Sequence, residues 1–374
     1  MKIPFNDLKS QFELIRQPIR ASIDKVFEHG IFINGPEVQE FEEKLSSFTS
    51  VKHAITCANG TDALTIALLA LKIKPDDAVF VPSFTYIASA ESIALVGGTP
   101  YFVDVGEDYN ICPNSLEVAI NDAIRNNHEP KIVIPVDLFG KPSISLGLDV
   151  LVKKYNLRTV YDAAQSFGSS HNGIKIGNFG DITTTSFFPA KPLGCYGDGG
   201  AIFTNNDDIA ELIRSIKNHG MGEHKYEHIN IGMNSRLDSI QAAILIEKIN
   251  LLYNETIKRN ENANYYNEKL ENSSFILPVT SENNAFAWAQ YTLRHKDRDM
   301  VIDFLKSKHI PTAIYYPIPL NEQSAYKECN QVSSGLKNTE KFCREVFSIP
   351  MSPYLLRDHQ DYIIKSLISY SNNI

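Results

Sequence analysis

From Ala54 onward the chain alternates short apolar runs with helix-patterned stretches, and that rhythm constrains its fold more than any other feature. Ala54–Ala58, Ala78–Pro82, Pro100–Val105, Ile132–Val136 and Thr159–Tyr161 read as strands. Between them Ala63–Leu71, Ala88–Val96, Leu116–Ile124 and Leu148–Tyr155 carry apolar residues at helical spacing. Short apolar strands, each followed by a helix, predict an α/β fold with a mostly parallel sheet covered on both faces. Ligands of such sheets bind beyond the carboxyl ends of the strands. Two helices precede the repeat. One covers Gln17–Glu28 and stops at Gly30; the other begins at Asn34-Gly35-Pro36-Glu37 and lines up Val38, Phe41, Leu45 and Phe48 on one face.

Past the repeat the pattern changes twice. Two β-prone runs, Ile182–Phe188 and Ala201–Thr204, flank a segment rich in proline and glycine, and Ile209–Lys217 is helical. Residues 218–231 are polar, hold His219, His224 and His228 and lack helical patterning, which marks a surface loop rather than a metal site. Leu237–Leu252 is strongly apolar, and Ile257–Leu270 continues as a more polar helix. Strand-like pieces follow within Phe275–Leu293, then a helix at Met300–Lys306, a strand at Thr312–Tyr316 and a closing helix at Asp358–Ile368. A chain of 374 residues exceeds the size at which one core keeps growing. The expected division is a large domain over 1–249 and a smaller α+β domain over 250–374.

Partners are narrowed by charge. A net charge of −8 with no basic block argues against nucleic acid and against an anionic membrane surface. No run is long and apolar enough for a membrane span, and the N-terminus has charges where a signal peptide needs an apolar centre. The five cysteines form no C-x-x-C pair and are odd in number, which suits a reduced, cytoplasmic protein.

Three stretches carry the chemistry. In Ser186–Gly200 a strand ends at Pro189 and presents Lys191 between prolines that forbid a helix, before four glycines allow close backbone approach. An amine in a tight apolar turn loses its proton more readily than a surface lysine, so Lys191 is a candidate Schiff-base nucleophile. Cys195, four residues on, has no His or Asn partner and reads as packing. In Asn59-Gly60-Thr61-Asp62-Ala63-Leu64 a strand gives way to a helix, whose free N–H groups would either seat a phosphate or be capped by Thr61 or Asp62. In Tyr161-Asp162-Ala163-Ala164-Gln165 a carboxylate follows a strand end, placed either to pair with a cationic ring nitrogen or to cap a helix, with Gln165 in reach of a second polar atom. Together they supply an amine, a phosphate seat and an acid, the set that pyridoxal 5'-phosphate requires.

These stretches resemble the DegT/DnrJ/StrS family of nucleotide-sugar aminotransferases, in Asn-Gly-Thr-Asp-Ala-Leu, Asp-Ala-Ala-Gln and Ser-Phe-Phe-Pro-x-Lys-x-Leu-Gly-x-x-Gly-Asp-Gly-Gly. Asn234-Ser235-Arg236-Leu237-Asp238 and Tyr316-Pro317-Ile318-Pro319-Leu320 extend the likeness over nearly the whole chain. The nearest likeness is to members that aminate carbon 3 of UDP-2-acetamido-2-deoxy-3-oxo-glucuronate, for surface polysaccharide. The resemblance implies an aspartate-aminotransferase-like (PLP fold type I) large domain, a homodimer with shared active sites, and L-glutamate as amino donor. It implies that Lys191 binds the cofactor aldehyde, that Asp162 faces the pyridine nitrogen, and that Gln165 reaches the ring hydroxyl. By the same likeness Gly60, Thr61 and Ser186 hold the phosphate with Asn234 of the partner subunit, and Tyr86 stacks on the ring. Arg236 is expected near the sugar carboxylate, its rival role being an ion pair with Asp238 or Glu247. Tyr315 and Tyr316 are expected to face the substrate, Tyr315 standing where relatives often have His.

Overall fold

The computed structural model of the chain describes residues 3–280 and 284–372. Twelve strands and eleven helices are present among them. The first helices are α1 (Leu8–His29) and α2 (Pro36–Thr49). The repeat then runs β1 (His53–Cys57), α3 (Gly60–Ala70), β2 (Asp77–Pro82), α4 (Ala88–Leu95), β3 (Thr99–Val103), α5 (Pro113–Arg125), β4 (Glu129–Val133), α6 (Leu146–Lys154) and β5 (Arg158–Asp162). A small hairpin, β6 (Ser170–His171) and β7 (Ile174–Lys175), leads to β8 (Ile182–Ser186), β9 (Gly200–Thr204) and α7 (Asp207–Ile216). The rest comprises α8 (Ser239–Leu270), β10 (Tyr291–Arg294), α9 (Arg298–Ser307), β11 (Asn330–Gln331), α10 (Lys337–Glu345), β12 (Val346–Ile349) and α11 (Arg357–Ser371).

Eight strands form one sheet in the order β1-β9-β8-β5-β4-β2-β3-β11. Only β9 runs against its neighbours; β8, β5, β4, β2, β3 and β11 are parallel in sequence across the sheet. Because β1 and β8 both oppose β9, they point the same way. The ends of β1, β2, β4, β5 and β8 therefore share one rim, together with the start of β9. The strands are largely buried, with only Glu129, Arg158 and Gln331 of this sheet exposed, and one apolar cluster fills the space between them and α3, α5 and α6.

Several local expectations need revision. The first helix starts at Leu8, not Gln17: Asp7 caps it by accepting from the Ser10 amide at 3.0 Å. Pro18 lies inside it, and the backbone distorts at Ile15 instead of ending there, since the proline lacks a donor but the helix still packs Ile15 and Ile19 on α8. The apolar run and its polar continuation form the single helix α8, which begins at Ser239, so the division expected at 249/250 falls inside it. The first half of α8 packs on α2 and the β8–β9 hairpin, and the second half on α9, α11 and the β10–β12 pair. No strand covers Thr312–Tyr316; only Ala313 bridges to Ser348, and Pro311 and Pro317 flank a segment whose tyrosines turn inward. Chain past 320 returns to the large sheet, where β11 pairs with β3 and α10 packs Phe342 and Cys343 against Phe84 and Phe139. Part of the 275–293 segment, residues 281–283, lies outside the described residues. No helix among the described residues is long and apolar enough to cross a membrane, and all five cysteines are free.

Candidate active site

The rim where the strands end holds a cavity of about 580 Å³. Lys191, Asp162, Gln165, Gly60, Thr61, Ser186, Tyr86, Tyr315 and Tyr316 all line it, although they come from stretches far apart in the chain. Among the residues expected in the site, only Asn234 and Arg236 do not line it.

Lys191 sits in a compact loop between β8 and β9. Its amide donates to the Phe188 carbonyl at 2.8 Å, and the Cys195 and Phe187 amides close the loop on Phe187 and Gly199 at 2.8 and 2.7 Å. Gly194 is demanded by this turn, since a Cβ there would lie 2.5 Å from the Pro189 carbonyl oxygen. The side chain is drawn into the cavity wall. Burial lowers the Lys191 ammonium below the ordinary lysine range, and the Asp162 carboxylate pulls partly the other way. The amine is thus poised toward its nucleophilic form. Cys195 is no rival: burial pushes its thiol up to about 11, and its Sγ donates to the Phe187 and Gly197 carbonyls at 3.0 and 3.2 Å.

α3 starts under that loop. Asn59, not Thr61 or Asp62, caps the helix by accepting from the Asp62 amide at 2.8 Å. This leaves the Gly60 and Thr61 amides with no acceptor among the described residues, at the positive end of the helix dipole. The fit against the hairpin is close: a Cβ on Gly60 would meet the Ser186 Cβ at 2.7 Å, and one on Gly200 would meet the Asn59 carbonyl oxygen at 2.4 Å. Gly60→Ala is expected to push α3 away from Ser186 at a cost of about 1–3 kcal/mol. The change should appear as a lower Tm and roughly tenfold weaker binding of a phosphorylated ligand by titration.

Asp162 ends β5 and is 7% exposed. Its Oδ2 accepts from the Ser89 hydroxyl at 2.7 Å and its Oδ1 from the Ala164 amide at 3.1 Å, which fixes the carboxylate at the cavity floor. Gln165 accepts from the Phe139 amide at 2.8 Å and donates to the Tyr316 hydroxyl at 3.3 Å, so one amide hydrogen remains for a ligand. Tyr86 is 55% exposed and lies 6.0 Å from the Tyr316 ring, at 38°. It is therefore free to stack on a planar guest.

Sequence reasoning missed Ser89, which is the second residue of α4 and carries no motif of its own. It also missed Asp137. That side chain is fully buried, accepts from the Ser143 amide at 2.7 Å and the Ser166 hydroxyl at 2.5 Å, and ties the β4 end to the Asp162–Ser166 turn. Burial pushes its carboxyl up to about 7. Between the ordinary value of 3.8 and about 7 the folded chain keeps a proton that the unfolded chain has released, so folding stability falls as pH rises through that window. Asp137→Asn is expected to flatten this fall and to add roughly 2–4 kcal/mol at pH 8, read from urea unfolding at pH 4.5 and 8.

Asn234 is exposed on the loop after α7, bridged to Asn218, and Arg236 is partly buried. Arg236 makes no ion pair with Asp238 or Glu247 among the described residues; Glu247 accepts instead from the Ser22 hydroxyl at 2.7 Å. The cavity lining contains no arginine, and its sole lysine is Lys191.

Amine, acid, free amides and hydroxyl around one cavity fit pyridoxal 5'-phosphate. Lys191 would hold its aldehyde carbon, Asp162 its ring nitrogen, Gln165 its ring hydroxyl, and Gly60, Thr61 and Ser186 its phosphate.

Comparison with known proteins agrees. The model of the DegT/DnrJ/EryC1/StrS aminotransferase family matches residues 13–368. UDP-2-acetamido-2-deoxy-3-oxo-D-glucuronate aminotransferase of Pseudomonas aeruginosa is 44% identical over 354 residues, covering 94% of this chain and 96% of that protein. The crystal structure of a DegT/DnrJ/EryC1/StrS aminotransferase from Brucella abortus superposes with a TM-score of 0.97 at 44% identity, over 99% of both chains. NtdA from Bacillus subtilis, solved with bound PMP cofactor, gives a TM-score of 0.87 at 29% identity over 99% of this chain and 85% of that one. The architecture is that of the aspartate-aminotransferase-like fold, PLP fold type I.

Proposed function

Since the chain belongs to the DegT/DnrJ/EryC1/StrS aminotransferase family, we propose that it carries pyridoxal 5'-phosphate on Lys191 and moves an amino group from L-glutamate to carbon 3 of a UDP-linked 2-acetamido-3-oxo-hexuronate. The observation that carries the chemistry is the meeting of Lys191, Asp162 and the free Gly60 and Thr61 amides in one cavity. The likeness to the Pseudomonas aeruginosa enzyme carries the choice of sugar.

When bound, the cofactor supplies an electron sink for breaking and making the bond between hydrogen and the amine-bearing carbon. The protein's own residues do the rest. Lys191, once released, takes the proton from the donor carbon and later returns one to the sugar carbon, as base and then acid. Asp162 keeps a proton on the ring nitrogen by its charge, which Ser89 and the Ala164 amide hold in place. Gly60, Thr61 and Ser186 anchor the phosphate, and Tyr86 covers the ring.

A nucleotide diphosphate and a uronate bring several negative charges, and the cavity's own lining offers only Lys191 against Asp162 and Asp198. The missing donors come, in this reading, from a second copy of the chain, whose neutral Asn234 carboxamide reaches the cofactor phosphate and whose Arg236 guanidinium supplies the positive charge, forking onto the sugar carboxylate. The working unit is then a homodimer in the cytoplasm, and its product feeds surface polysaccharide. Incubation with L-glutamate and a panel of UDP-, dTDP- and GDP-linked keto sugars, with products read by NMR, tests this. Amination at carbon 3 of the UDP-linked keto-uronate is expected. Amination at carbon 4, or of a dTDP-3-oxo-6-deoxyhexose alone, would reassign the substrate.

A further inference from the structure

Gln290 lines the cavity with Lys191 but has no place in the scheme above. It follows Trp288 just before β10, in a segment held to the site by the Ala287 amide, which donates to the Gly140 carbonyl at 3.3 Å and to the Ser169 hydroxyl at 2.7 Å. Its Oε1 is sequestered from solvent and has no hydrogen-bond partner, and its Nε2 makes no hydrogen bond among the described residues. An amide left unmatched in a folded chain is destabilising, and such groups mark a place where something else completes the pairing.

We infer that the Gln290 carboxamide reads the acetamido group of the sugar. The Nε2 donors suit the acetamido carbonyl, and rotation of the carboxamide turns Oε1 out of its sequestered place to accept from the acetamido N–H, so the pair complements a secondary amide. A carboxylate or phosphate would call for a cation, which Gln290 is not. A hydroxyl in place of the acetamido group would leave part of the carboxamide unpaired, so the residue selects against it. This inference rests on the proposed UDP-sugar reading and names the part of that substrate which the cavity's own wall recognises. There is one rival for the amide. On its other side Gln290 borders a cavity of about 20 Å³ beside Asp108, Tyr109 and Lys141, room for about one water. A water there would give Gln290 a packing role that no sugar feels selectively.

The test uses binding, not turnover. Cofactor-loaded wild-type and Gln290→Leu proteins are titrated with UDP-2-acetamido-2-deoxyglucuronate and with UDP-glucuronate, neither of which has the ketone needed for reaction. Wild type is expected to prefer the acetamido compound by about tenfold to a hundredfold. Gln290→Leu should lose that preference while holding UDP-glucuronate within about twofold of wild type. Gln290→Met, closer in length, takes its place if the leucine variant does not fold. Equal weakening toward both compounds would assign Gln290 to packing and overturn the inference. So would a wild-type protein with no preference between them. A wild type that binds neither compound would instead remove the UDP-sugar reading, and this inference with it.

Discussion

Lys191→Ala should leave a folded protein that no longer transaminates. The proton transfers assigned to this amine are worth on the order of 10²–10⁴ in rate by themselves, and losing the covalent hold on the cofactor adds to that. The residue is half-buried in a loop fixed by its backbone, through the Lys191, Cys195 and Phe187 amides, so truncating the side chain removes no structural hydrogen bond. Tm should therefore change by only a few degrees while kcat with L-glutamate falls to background. Added methylamine, which restores a free amine but not its tether, should return little activity. Wild-type turnover in Lys191→Ala would take the residue out of the chemistry.

Asp162→Asn keeps the shape and removes the charge. Loss of one preorganised electrostatic partner at a reacting centre typically costs 10²–10³ in kcat, and a fall of about that size is expected with KM for the donor little altered. A second effect separates charge from shape. Asp162 favours the ammonium form of Lys191, against the burial that disfavours it. Without the carboxylate, the amine should release its proton at a lower pH than in wild type. The pH dependence of its reaction with an amine-directed reagent, in cofactor-free protein, reads this directly. An unshifted profile would mean that the two side chains do not sense each other. Ser89 enters the same account, as the hydroxyl that holds the acid in place.

How far the sequence alone could be read follows from what each residue does locally. The strand–helix rhythm was legible because parallel strands buried on both faces must be apolar throughout. Gly60, Gly194 and Gly200 were legible as a group because close backbone approach admits nothing larger. Asp162 could be found since it ends a strand, and Lys191 since it stands in the turn between two. The polar continuation of α8 was legible as helix, but the partners of its buried polar residues were not: Glu255 accepts from Gln11 and Tyr354, and Thr256 bonds back to Leu252. The aromatic run at Ile314–Tyr316 imitates a strand, but its side chains pack toward the cavity and its neighbours. β11 is two polar residues long and gave no signal, since its place on the sheet edge depends on backbone pairing with Tyr101 and Phe102. Ser89, Asp137 and Gln290 escaped for a different reason. A lone polar residue acquires its role only when the fold brings a partner, or leaves it without one.

Attachment of pyridoxal 5'-phosphate to Lys191 is covalent in this mechanism and can be trapped. Wild-type protein supplied with pyridoxal 5'-phosphate is reduced with borohydride, digested and mapped by mass spectrometry. One reduced pyridoxyl phosphate is expected on the peptide that holds Lys191, and none once the protein has first been incubated with excess L-glutamate. A label on any other lysine, or an unlabelled Lys191 peptide, would contradict it.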